Sequence, residues 1–182
     1  MKVRHSDSLI LIWRLAELEA RQLKASTIEP THLLLGLCKA VDLDLLTLVQ
    51  SNSPDRDEVL EELLREVRRL RTIFRAAGLD ARTFRRALRR KSGGDRIAPS
   101  ESQRLRRSKA AKQVFADAEH FAEMANSVVF PVQLLFAVVL IDDKVRDDLL
   151  DHLGVEPDRL REVAKREVAF PWTGEKPSAG RN

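Results

Sequence analysis

The sequence predicts an all-α fold, a helical bundle of two repeats related by pseudo-twofold symmetry, with an extra long helix inserted in repeat one. Three observations predict it. Breakers are scarce, with seven Gly and seven Pro in 182 residues and no Tyr, while Leu, Ala and Arg are abundant. Apolar residues recur at intervals of three and four, the period of an amphipathic helix. The second part of the chain repeats the first, at one offset ahead of an insertion in repeat one and at a smaller one after it.

Taken in order, Leu9, Ile12, Trp13, Ala16, Ala20 and Leu23 form one apolar stripe, which places a helix from about Ser8 to Ala25 with Arg14, Glu17, Arg21 and Lys24 on the other side. Glu29 and Pro30 open a second helix to about Ala40, since proline fits the first helical position. A short apolar stretch, Leu43 to Val49, ends at turn residues. The long helix follows, its stripe formed by Val59, Leu60, Leu63, Leu64, Val67, Leu70 and Phe74, with Gly78 as its stop. Asp80 caps the next helix, to about Arg90. Lys91 to Ser102, with Gly93, Gly94 and Pro99, reads as a linker. Ser100 and Gln103 have capping-box spacing for a helix to about Ala125; Pro131 opens another to Leu140, Val145 to Leu153 forms a short one, and Pro157 opens the last, to about Ala169.

Laid over one another at an offset of 101, Ser26, Ile28, Pro30, Leu33, Leu34 and Leu37 pair with Ser127, Val129, Pro131, Leu134, Leu135 and Val138. The first helices pair at 102, Trp13 with Phe115, and the ends at 76, Gly78 with Gly154. The expected organisation is a single domain over 1–170: repeat one at 8–90 with an insertion at about 41–74, a linker at 91–102, and repeat two at 103–169. Residues 171–182 read as a disordered tail or linker, and Phe170, Pro171 and Trp172 as an anchor closing the last helix or as a short motif that another protein recognises.

Ala16, Glu19, Ala20, Leu23, Ile28, Thr31, His32, Leu33, Leu34, Leu35, Gly36 and Leu37 match, ungapped over some 22 residues, the repeat signature of Clp N-terminal domains. On these residues the chain resembles the substrate- and adaptor-binding module of Clp AAA+ unfoldases, which feed a protease or act as chaperones. The resemblance implies a non-enzymatic domain for substrate or adaptor recognition or docking, whose partner is a protein or peptide such as Clp ATPase or protease subunits or unfolded substrates. It points to Thr31, His32, Val132 and Gln133 as protein-binding positions. Some members bind phosphoarginine through a Glu preceding a His in each repeat; here the Glu positions hold Thr31 and Val132, and the second His is Gln133, so that recognition does not carry over. No G-x-x-x-x-G-K-[ST] phosphate loop occurs in the sequence.

Charge supplies the alternative. Sixteen Lys or Arg against three acids lie between Arg68 and Lys112, and Arg82, Arg85, Arg86, Arg89 and Arg90 share one side of a helix. That basic patch reads as a face balanced by acidic helices of the same domain, as a dock for an acidic protein, or as a nucleic-acid site using residues 68–112, although aromatic residues for base stacking are scarce around it. His5, His32, His120, His152 and Cys38 show no paired ligand spacing, so no metal or other cofactor is expected. Cys38 reads as a core thiol, and His32 as a side chain bonded to nearby backbone. With no signal peptide or apolar run of membrane-spanning length, a cytoplasmic protein with no membrane partner is expected.

Overall fold

Ser6 sets the start of the first helix: its hydroxyl accepts the Leu9 N–H, and Asp7 places a negative charge in the first turn, where the helix dipole is positive. The computed structural model describes residues 4–43, 54–92 and 105–169. From this start α1 (Asp7–Gln22) runs to Lys24, whose left-handed backbone lets Ala25 N–H close on the Ala20 carbonyl at 2.9 Å. The two-residue strand β1 (Thr27–Ile28) and α2 (Pro30–Asp42) follow, the latter with proline in its first turn. Next come α3 (Pro54–Ala76) and α4 (Ala81–Ser92), separated by Gly78, whose φ of +76° permits the Leu79 N–H to reach Phe74 O at 2.8 Å. Asp80 caps α4 by accepting the Thr83 N–H at 2.7 Å.

Repeat two consists of β2 (Arg106–Arg107), α5 (Lys109–Met124), α6 (Pro131–Leu140), α7 (Lys144–His152) and α8 (Pro157–Ala169). Here one expectation is corrected. The helix does not begin after Ser100 and Gln103, which lie outside the described residues; its cap is Ser108, whose hydroxyl accepts the Ala111 N–H at 3.1 Å. Residues 106–107 are extended because they pair in parallel with β1, Thr27 opposite Arg106 and Ile28 opposite Arg107. The stretch 44–49, most of the 91–102 linker and the 171–182 tail also lie outside the described residues.

The hydrogen bonds display the pseudo-twofold relation. Ser108 N–H donates to Ile28 O at 3.0 Å, and its counterpart Ser6 N–H donates to Val129 O at 3.1 Å. His5 bridges Val129 as Arg107 pairs with Ile28. Lys24 and Asn126 take the same left-handed turn, as do Gly78 and Gly154. Each repeat thus lends an amino-terminal arm to the other.

Both repeats share one apolar core, in which Ile12, Leu33, Leu35, Phe74, Phe84 and Leu134 are fully enclosed. The long helix α3 joins the repeats, packing on α1 and α2 and also on α6 and α8. Of its expected stripe, Val67, Leu70 and Phe74 are buried, Ile73 joins them, and Leu63 and Leu64 are partly buried against the core. Val59, by contrast, is exposed, because the core lies against the later turns of the helix. Buried Arg146 donates to Val138 O and Ile141 O at 2.8 and 2.9 Å, and so serves the carbonyls that the end of α6 leaves without helical partners.

Candidate functional site

Thr31 and His32 stand in the first turn of α2, Val132 and Gln133 in that of α6. His32 is buried, and its Nδ1 accepts the Glu29 N–H at 2.9 Å; Gln133 is buried, and its Oε1 accepts the Phe130 N–H at the same distance. The two side chains therefore perform one structural task, satisfying an N–H just ahead of each helix. Thr31 Oγ1 donates to Asp143 of repeat two at 3.3 Å. Val132 is enclosed beside a cavity of about 40 Å³ shared with Arg65, Glu66, Arg69 and Phe130. Each pair thus belongs to its own set of contacts.

The arginines of α4 divide. Arg89 forks onto the carboxylate of Glu19, Nε to Oε2 and Nη2 to Oε1, each at 2.5 Å. Arg85 lies 3.7 Å from Glu19 and 2.7 Å from Asp42, and Arg82 also meets Asp42 at 2.7 Å. Lys39 completes the group around Glu19 at 3.6 Å. Glu19 is 0% exposed, so these ion pairs fasten α4 to α1 and α2 from inside the domain. Arg86 and Arg90 face solvent. Cys38 is buried below this cluster, and burial pushes its thiol pKa up, away from the reactive thiolate. Among the described residues no three His, Cys, Asp or Glu side chains are arranged to hold a metal ion.

What the sequence reading missed is a groove of about 660 Å³ between α1, β2 and α5. Leu9, Ile10 and Trp13 line it from repeat one; Leu105, Arg106, Arg107, Lys112 and Phe115 line it from repeat two. Trp13 meets Phe115 edge-on, centroids 5.6 Å apart at 74°. The Arg107 guanidinium lies over both rings, 4.9 Å from Phe115 and 5.6 Å from Trp13. His5, also in the lining, reaches Glu119 Oε1 at 3.1 Å. Three pairs of lining positions, His5 and Arg107, Ile10 and Lys112, Trp13 and Phe115, are equivalent in the repeat, so the groove straddles the pseudo-twofold axis. The signal was present in sequence as the alignment of Trp13 with Phe115, but both positions fit a core stripe equally well. In the structure Trp13 is half-buried and Ile10 is 49% exposed.

No protein-family model and no curated protein matches the sequence. Solved structures do match. The N-terminal domain of Hsp104 from Candida albicans superposes with a TM-score of 0.58 at 20% identity, over 88% of this chain and 89% of that one. The N-terminal domain of the caseinolytic protease associated chaperone ClpD from Arabidopsis thaliana gives 0.59 at 17% identity, over 92% and 96%. A chain from structural work on a malarial protein secretion system gives 0.61 at 16%, over 94% and 99%. This chain has the Clp N-terminal domain fold. It is all-α, with the two repeats expected from the sequence. Among its described residues no helix is long and apolar enough to cross a membrane.

Within the Clp N-terminal fold, one buried carboxylate ties α3 to the start of α1. Glu66 accepts from the Ser8 hydroxyl and, at 3.3 Å, from Ser6, while its other oxygen has no hydrogen-bond partner among the described residues. Burial raises its pKa to about 7; Glu62 adds to the rise, and the two serines and Arg69 oppose it. A folded pKa above the unfolded value means that folding takes up a proton, so this group favours the folded state at low pH and opposes it as pH rises from about 5 through 7. Thermal unfolding of Glu66→Gln at pH 5.5 and pH 8 should therefore show the variant gaining on the parent at the higher pH. Equal shifts at both values would refute the assignment.

Proposed function

We propose that the chain is a non-enzymatic protein-binding domain that holds a polypeptide segment in the groove between α1 and α5, for substrate or adaptor recognition or docking linked to Clp-type unfolding and proteolysis. The observation that carries this reading is the groove itself: two aromatic side chains and a large exposed aliphatic, rimmed by cations, in a concavity of peptide-binding size. Its partner is an unfolded or adaptor segment, or a subunit of a Clp ATPase or protease. The nucleic-acid alternative is less favoured, because Arg82, Arg85 and Arg89 are engaged with Glu19 and Asp42.

The test is fluorescence anisotropy with labelled apolar peptides, comparing the parent with Ile10→Glu. Ile10 is exposed, so the substitution puts a charge on the groove without opening the core. Micromolar binding by the parent, weakened at least tenfold in the variant at unchanged unfolding temperature, is the expected result. Absence of peptide binding, with duplex DNA bound in a strongly salt-dependent manner, would replace this reading by the nucleic-acid one.

A further inference from the structure

Resting on the groove reading, we infer that the groove discriminates by charge: it takes a segment that sets bulky apolar side chains against α1 and acidic side chains against β2 and the start of α5. A groove on a twofold axis with equal residues on both sides would present the same chemistry from either wall. This one does not. Where α1 contributes Ile10, α5 contributes Lys112; where the first arm contributes His5, the second contributes Arg107, with Arg106 beside it. The first helical position is Asp7 in α1 but Lys109 in α5.

Among the described residues no acid answers these charges. Arg106, Arg107 and Lys112 are exposed and have no acidic partner within 4 Å among the described residues, in contrast to the arginines of α4. On α5, Glu119 is engaged by His5 at 3.1 Å. Arg107 is held in place by the faces of Phe115 and Trp13, so its charge sits over the apolar floor instead of sweeping through solvent. The complement of such a surface is a chain that supplies anions to one wall and apolar groups to the other. An extended segment does so readily, since successive side chains point to opposite sides.

Three labelled, end-capped dodecapeptides decide it: leucine alternating with glutamate, with serine, or with lysine. Each exposed ion pair contributes a factor of roughly two to three, so three together predict about tenfold tighter binding of the glutamate peptide than the serine one in low salt. The lysine peptide should bind most weakly, and the spread should collapse in about 0.5 M salt, where screening is nearly complete. The triple variant Arg106→Ser, Arg107→Ser, Lys112→Ser should lose the preference and keep the serine peptide. Equal binding of glutamate and serine peptides by the parent would overturn the charge inference and leave the groove reading standing. Failure of all three peptides would overturn both.

Discussion

Glu19→Ala is expected to cost about 3–5 kcal/mol, enough to unfold much of the protein at physiological temperature. The carboxylate is fully enclosed and takes both arms of the Arg89 fork at 2.5 Å, with Arg85 and Lys39 at 3.7 and 3.6 Å. Removing it takes the shared carboxylate from Arg89 and Lys39, which are 32% and 18% exposed, and leaves Arg85 with Asp42 alone; a partly buried cation without its partner costs more than the intact pair contributed. Glu19→Gln keeps an acceptor and the volume, and should fall between parent and alanine. Asp148→Ala is the control: its pair with Lys144 is exposed and should be worth under about 0.5 kcal/mol. Urea unfolding of the four proteins reads these differences directly. A Glu19→Ala loss below about 1 kcal/mol would show that the cluster is not what binds α4 to α1.

Gly36→Val should rank next, at about 3 kcal/mol. A Cβ at Gly36 would stand 2.8 Å from Ile12 O and 2.9 Å from Ala16 N, and backbone atoms cannot swing aside as a side-chain tip can. The whole of α1 would have to lift from α2, and these helices share the most extensive contact in the fold. Gly36→Ala gains about 0.5–1 kcal/mol in helix propensity, so its net cost should be smaller. The equivalent position in repeat two is Ala137, which is fully buried without such a demand, because α5 and α6 share a smaller contact. Differential scanning calorimetry should show both variants melting below the parent, valine well below alanine.

Much of the fold was legible because the chain repeats itself at the positions that fix local geometry. Pro30 and Pro131 start helices as expected, and Gly78 and Gly154 end them. The extended arm at 105–108 was not legible: two residues carry no period, and their partner Ile28 is some 80 residues away. The fate of the α4 arginines was hidden for another reason. A charged residue on a polar stripe looks the same whether it faces water or an enclosed carboxylate, and only packing tells Arg86 from Arg89. The groove stayed invisible because Trp13 and Phe115 obey the core periodicity: Phe115 is in fact buried, and only the tertiary fold leaves Trp13 partly exposed beside it.

The exchange of arms between repeats has a consequence for how the chain reaches this state. Neither half can complete its own edge: residues 4–6 find their pairing at Val129, and residues 106–108 find theirs at Ile28, with the core continuous between them. A ribosome that has delivered only the first hundred residues has made a unit lacking half of its partners, so consolidation waits for the second repeat, and the contacts that lock the molecule join its most distant segments. The halves behave as the two parts of a clasp, and the pair is the structural unit.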